Sequence, residues 1–275
     1  MITGKICGTG SYVPPHVMDN DDMAKLVDTN DERIRERTGI ARRHVAEQET
    51  TSFMAGQAAL RAVEQSGIAP EEIDMIIVAT SSSETIYPCA ACEVQKTIGA
   101  VNAAGYDLNA ACTGFVLGFN AAQAYISAGM CRTVLVVGAE SMSHMIDWTD
   151  RSTCILFGDG AGAVLLRAEE DGAPVWTSAH PDGKKGPALT ALSRHRRDWN
   201  LKEEDKEAYI HMDGQAVFKF AVRKVPEIIE EILEKSGVSA DEIDYFILHQ
   251  ANRRIIEAVA KRLKIDISGF PMNLE

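Results

Sequence analysis

Residues 65–82 read QSGIAPEEIDMIIVATSS, and residues 235–252 read KSGVSADEIDYFILHQAN. Laid over one another at an offset of 170, their Ser, Gly, Glu, Ile and Asp coincide. A second echo follows in the same order: GYDLN begins at 105 and GFPMN at 269, an offset of 164. Two echoes in one order point to an internal duplication. In each copy a helix runs into a Ser-Gly loop, then a strand, a helix and a second strand.

Outward from the first echo, the segments alternate. MIIVATS (75–81) reads as a short buried strand, and YPCAACEVQKTIG (87–99) as a helix with Pro88 near its start and Gly99 at its end. YDLN (106–109) is a strand and 112–128 a helix closed by Gly129. TVLVVGAE (133–140) and GAGAVLLRA (160–168) are apolar strands. This β-α-β-α-β order predicts an α/β fold with a covered sheet. The polar stretch 180–208 reads as a surface excursion or mobile loop. Beyond it the pattern predicts a helix at 214–236, a strand at 243–248 and a helix at 252–263. The duplication divides the chain into 1–170 and 171–275. The second copy stops two residues after Asn273, so symmetry with the first predicts roughly fifty to sixty further residues.

Composition bounds the function. The 275 residues are 45% hydrophobic, enough for a large core. No apolar run approaches the ~18 residues of a membrane span, and the start, MITGKICGTGSYVP, lacks a signal-peptide layout. The expected protein is soluble and cytoplasmic, with its six cysteines reduced. A formal charge of -12 argues against nucleic acid as a partner.

Cys112, in NAACTGF (109–115), stands between a strand and a helix. Unpaired N–H groups and the macrodipole at a helix start favour a thiolate. A strand-to-helix turn also presents the side chain at the carboxyl edge of the sheet, where α/β folds form clefts. Cys112 is therefore either a small core residue or a nucleophile. His249 ends the strand YFILH of the second copy. It is either a satisfied half-buried histidine or the partner of Cys112 across a pseudo-twofold axis, able to bind an oxyanion or help activate a thiol.

NAACTGF, GAESMS, DRSTCILFGDGAGAVLL, HMDGQAVFKFAV and HQANRRI, in that order over nearly the whole chain, resemble the β-ketoacyl-acyl-carrier-protein synthase III family of the thiolase superfamily. The resemblance implies a thiolase-like, duplicated α-β-α-β-α layered fold, its second copy incomplete, and a homodimer. It implies a decarboxylating Claisen condensation that starts a fatty acid. Cys112 would take an acyl group from acyl-CoA, acetyl-CoA first, and malonyl-acyl carrier protein would lose carbon dioxide and attack the acyl-Cys. His249 would stabilise the enolate. Coenzyme A enters as substrate, and no cofactor, metal, nucleic acid or membrane is implied.

The family uses a Cys-His-Asn set, its asparagine in a GNTS-type stretch. Asn252 and Asn273 do not match that motif, so the third position stays empty. By the same resemblance Gln250, Ala251, Asn252, Arg253 and Arg254 contact the carrier protein, while Arg151, Tyr87 and Asn252 belong to the substrate side. Tyr87 is equally readable as a core or interface aromatic. Where the family often has DEW, with tryptophan stacking on adenine, this chain has DER, with Glu32 at that place and Arg33 after it. Independently of family, residues 249–264 hold Arg253, Arg254, Lys261, Arg262 and Lys264 against Glu257. That basic run, with Lys219, Arg223 and Lys224 as additions, is either a solvated face or a dock for an acidic partner.

Other patterns carry less. CAAC (89–92) has CxxC spacing but neither a thioredoxin-like context nor a second ligand pair. GDGAGA (158–163) leads into a strand, unlike a dinucleotide loop, and DNDD (19–22) reads as a helix start. His44, His144, His180, His195 and His211 lack ligand spacing. The competing functions are another thiolase-fold acyltransferase, priming a polyketide or alkylquinolone or related to hydroxymethylglutaryl-CoA synthase, and an inactive binding remnant.

Overall fold

The computed structural model describes residues 1–192 and 209–274. In chain order the elements are β1 (Thr3–Tyr12), β2 (Val17–Asp19), α1 (Asn20–Leu26), α2 (Asp31–Thr38), β3 (Arg42–His44), α3 (Thr51–Ser66), β4 (Met75–Ala79), α4 (Ala90–Ile98), β5 (Ala104–Leu108), α5 (Gly114–Ser127), β6 (Thr133–Ser141), β7 (Asp159–Glu169), β8 (Leu189–Thr190), β9 (His211–Met212), α6 (Gly214–Ser236) and α7 (Arg253–Leu263). They gather into two compact units. One comprises Met1–Val17, His44–His144 and Gly158–Val175; the other comprises Met18–Arg43, Met145–Phe157 and the chain from Trp176 onward. No helix among the described residues is long and apolar enough to cross a membrane.

The first unit is built on a five-stranded mixed sheet in the order β1-β7-β6-β4-β5. β4 lies parallel to both β5 and β6, and β7 antiparallel to both β6 and β1. Successive side chains of a strand point to opposite faces, so an uninterrupted apolar run needs cover on both. Ile76, Val78, Leu135, Val137 and Leu165 pack with residues of α3 and α4 on one face. Ile77, Val134, Val136 and Leu166 pack with Ala122 and Ile126 of α5 on the other. Each fully buried side chain of this kind contributes about 1.5–3 kcal/mol.

Small residues set the closeness of the layers. A Cβ at Gly10 of β1 would run into the carbonyl of Ala58 on α3. On the other face, a Cβ at Gly118 of α5 would stand 3.2 Å from Cγ1 of Val136.

In the second unit α6 begins at Asp213, whose carboxylate accepts from the N–H groups of Gln215 and Ala216. It ends at Gly237 with φ +70. α7 packs on it through Ile256, Val259 and Ala260, and Phe270 stacks on Phe246 with ring centroids 5.1 Å apart.

Three expectations need adjusting. The helix expected from 112 starts at Gly114, after a 3-10 turn over Ala111–Thr113. The strand expected at 243–248 is extended but is not part of a sheet. Only the Phe246 N–H bonds across, to the carbonyl of Gly269 at 2.8 Å, and among the described residues no strand lies beside it. Alternation alone cannot supply the ladder partner that a strand requires. Finally, part of the excursion 180–208 is ordered: Leu189 and Thr190 pair with Met212 and His211. Residues 193–208, His195 among them, lie outside the described residues.

Candidate active site

Cys112 is held by the connection between β5 and α5. Ala111, just before it, has φ +44 although it is not glycine. Such backbone costs about 1–3 kcal/mol and persists only where its surroundings enforce it. Here the enforcing contacts are visible. Thr113 donates its N–H and its hydroxyl to the Ala110 carbonyl, at 3.2 and 2.9 Å. At Gly114 a Cβ would come within 3.1 Å of the Ala79 Cβ, so α5 starts directly over the end of β4.

Cys112 is exposed at its surface, yet the protein around its sulfur raises its pKa. Burial is the main cause, its own backbone N–H opposes it, and the negative charge of Glu140 adds to it. The resting residue is thus a thiol, contrary to the thiolate expected at a helix start. The helix proper begins two residues later, and the Glu140 charge works against ionisation.

Glu140 is the residue that sequence reading passed over. Near the end of β6 it accepts from the Ser81 N–H at 2.9 Å, the Ser81 hydroxyl at 2.8 Å and the Ser82 hydroxyl. It ties down the loop that follows β4. A carboxylate closing the apolar run TVLVVGAE at a sheet's carboxyl edge was the available signal. Tyr87 lies in the same unit, 88% exposed.

His249 follows the extended segment of the second unit, and its imidazole has no hydrogen-bond partner among the described residues. His249 is exposed at its surface, yet the protein around its ring pushes its pKa below the ordinary histidine value by desolvation, which favours the neutral ring. The next residue, Gln250, is spent on the backbone. Its amide donates to the carbonyls of Leu248 and Pro271, both at 3.1 Å, and accepts from the Asn273 N–H at 3.2 Å. Asn252 caps α7, accepting from the Arg254 N–H at 2.8 Å. Ala251 lies between them, partly buried.

Arg253 pairs with Glu257 at 3.0 Å, whereas the guanidinium of Arg254 lies over the Phe218 ring, 5.5 Å from its centroid. Lys261, Arg262 and Lys264 are exposed. Arg223 and Lys224 share the carboxylate of Glu227, which reduces their contribution to the positive face. Arg151, in the same unit, donates to the backbone carbonyl of Asp28 at 2.7 Å, three residues before α2 with its Glu32. Among the described residues no three His, Cys, Asp or Glu side chains are grouped to hold a metal.

Comparison with known proteins places this geometry. Residues 106–183 match the family described as 3-oxoacyl-[acyl-carrier-protein (ACP)] synthase III, and residues 233–275 match that family's C-terminal domain. A β-ketoacyl-[acyl-carrier-protein] synthase III of Clostridium acetobutylicum is 46% identical, over 98% of this chain and 84% of that protein. The chain belongs to the β-ketoacyl-[acyl-carrier-protein] synthase III family.

Its thiolase-like α/β fold agrees with the solved members. The 3-oxoacyl-[acyl-carrier-protein] synthase III of Aquifex aeolicus superposes with a TM-score of 0.91 at 42% identity, over 98% of this chain and 84% of that one. The priming β-ketosynthase of the R1128 polyketide pathway also reaches 0.91, at 34% identity over 99% and 82%. As a synthase III relative, the chain is an acyltransferase of the fatty-acid-synthesis class. The motifs that carried the resemblance include the turn that presents Cys112 and the segment that presents His249.

Proposed function

We propose that this chain condenses an acyl-CoA primer, acetyl-CoA first, with malonyl-acyl carrier protein. Cys112, presented on a strained turn at the carboxyl edge of the sheet, carries that reading. Its sulfur attacks the thioester carbonyl, coenzyme A leaves as its thiol with the proton that Cys112 gives up, and an acyl-Cys remains. Malonyl-carrier protein then loses carbon dioxide. The resulting carbanion attacks the acyl-Cys carbonyl, the C–S bond breaks, and 3-oxoacyl-carrier protein departs, leaving a Cys112 thiolate that takes up a proton from solvent.

His249 is the partner we assign to Cys112, one residue from each copy (1–170 and 171–275). A thiol held protonated and an imidazole held neutral suit a resting pair without charge separation. Neutral His249 accepts the proton as the thiol attacks and passes it to the departing coenzyme A sulfur. In the second half-reaction its N–H donates to the thioester oxygen that gathers negative charge. Arg151, Tyr87 and Asn252 are assigned to the acyl-CoA side, and residues 250–254 with the basic face of α7 to the acidic carrier protein. Among the described residues β5 is an edge strand with no partner on its outer side, which supports a homodimer joined along that edge. Six free cysteines support a cytoplasmic location.

The deciding experiment is incubation with acetyl-CoA followed by mass spectrometry of the peptide holding Cys112. An increase of about 42 Da marks the acetyl-enzyme. An unmodified Cys112, or an adduct on another cysteine, would defeat the assignment. The second reading, priming of a polyketide, is favoured by the R1128 similarity. It predicts that longer or branched acyl-CoA outcompetes acetyl-CoA in the same assay.

A further inference from the structure

The sulfurs of Cys89 and Cys92 lie 3.5 Å apart. Cys89 is the N-cap of α4, with φ -71 and ψ 159, and Cys92 is in the helix's first turn. This spacing brings an N-cap side chain over the third helical residue, as it does for ordinary polar caps. The sequence showed the CxxC spacing; it could not show that the two thiols touch. Cys92 is exposed and Cys89 half-buried, whereas Cys131 and Cys154 are buried.

The backbone around the pair is anchored. The N–H groups of Ala90 and Ala91 each donate to the Asp107 carboxylate at 2.8 Å, and the Cys92 N–H donates to the Cys89 carbonyl at 3.0 Å. Closing the sulfurs to a bond of about 2.0 Å therefore calls on side-chain rotation at a helix end. The partners differ in readiness. Contact with Cys89, then burial, raises the Cys92 pKa. The first attack is therefore assigned to Cys89, the N-cap of α4.

We propose that Cys89 and Cys92 form a dithiol modification site, oxidised to an intramolecular disulfide by exchange with a low-molecular-mass disulfide such as oxidised glutathione. The Cys89 sulfur, giving its proton to solvent, attacks one glutathione sulfur. The glutathione S–S bond breaks, and the first glutathione leaves as a thiolate that takes up a proton. Cys92 then attacks the Cys89 sulfur of the mixed disulfide, loses its own proton and expels the second glutathione. Two protein thiols are oxidised, and one glutathione disulfide is reduced to two thiols. The site stands apart from the condensation reading, because neither cysteine has a role in it. It adjoins that site all the same: Tyr87 lies two residues before Cys89, and Asp107, which caps α4, belongs to the strand that leads to Cys112.

Trypsin cuts after Arg61 and Lys96, releasing residues 62–96, in which Cys89 and Cys92 are the sole cysteines. The reduced full-length protein is treated with oxidised glutathione, blocked with iodoacetamide, digested and weighed. The expected peptide is about 2 Da lighter than the reduced form and carries no alkyl group, and dithiothreitol restores alkylation of both thiols. A doubly alkylated peptide, or a lasting glutathione adduct in the unsubstituted protein, would overturn the proposal. In Cys92→Ser the resolving thiol is gone, so glutathione, about 305 Da, stays on Cys89. A free Cys89 in that variant would also overturn it.

Discussion

The N–H of Phe246 donates to the carbonyl of Gly269 at 2.8 Å, and Ile76 stands opposite Gly105 in the β4–β5 ladder. The first residues of the two pairs are 170 apart and the second 164 apart, the same offsets that the echoes in the sequence show. The correspondence reaches individual hydrogen bonds. The Ser66 hydroxyl donates to the Val63 carbonyl at 2.7 Å, and the Ser236 hydroxyl donates to that of Leu233 at 3.1 Å. Ala69 N–H donates to Glu72, and Ser239 N–H to Glu242. One local solution, a helix stop followed by a short 3-10 turn into an extended segment, is thus used twice.

That repetition has an energetic counterpart. Gly67 and Gly237 close their helices at φ +67 and +70, and a Cβ at either meets no atom within 4 Å. Gly67→Ala and Gly237→Ala should each cost about 1–2 kcal/mol, the left-handed backbone strain alone. Gly10→Ala adds a collision with the Ala58 carbonyl and should cost about 3 kcal/mol or more. Urea unfolding of the three variants checks the order. Equal losses at Gly10 and Gly67 would contradict the close approach of α3 to β1.

The strands that were legible in the sequence are those whose apolar runs are buried on both faces. Residues 133–140 were expected and Thr133–Ser141 is observed. α6 was legible to the residue, because Asp213 and Gly237 mark its two ends. Among the described residues the segment 243–248 pairs with no strand, since pairing depends on a neighbour that local sequence does not encode. The turn at Cys112 was legible as a strand-to-helix junction. Its thiol state was not, because burial and the Glu140 charge come from residues far away in the chain. The same holds for the contact between Cys89 and Cys92, for which spacing was a necessary hint and geometry the deciding fact.

Glu140→Gln removes the charge that helps keep Cys112 protonated and leaves an amide oxygen to accept from Ser81 and Ser82. Iodoacetamide reacts with thiolate, so alkylation of Cys112 accelerates as pH rises towards a pKa above the ordinary thiol value. In the variant that rise should begin at lower pH, while stability falls by about 1 kcal/mol. Overlapping pH–rate curves for the two proteins would show that Glu140 acts on the loop after β4 and not on the sulfur.

Arg254 is exposed on a basic helix and stacked on Phe218, and among the described residues its charge has no acidic partner. Arg254→Glu should lower kcat/KM for malonyl-carrier protein about 10-fold at low salt, with the gap narrowing as ionic strength rises. Acylation of Cys112 by acyl-CoA should change little. A loss of equal size in both half-reactions would place Arg254 outside the carrier-protein dock.

His249 gives the assignment its sharpest pH signature. Desolvation by the protein around it favours the neutral ring, so its pKa lies below the ordinary value of about 6.5. Condensation by the neutral form should hold steady as pH falls through 6.5 or so and decline only below it. His249→Ala removes the N–H donor and should slow decarboxylative condensation about 10²–10³-fold. The acetyl-Cys112 adduct should still form in that variant, more slowly for want of the base. Using preformed acetyl-enzyme isolates the second half-reaction, in which the acid limb should vanish together with the imidazole. An acid limb that persists in the alanine variant would belong to another group and would remove His249 from the oxyanion role.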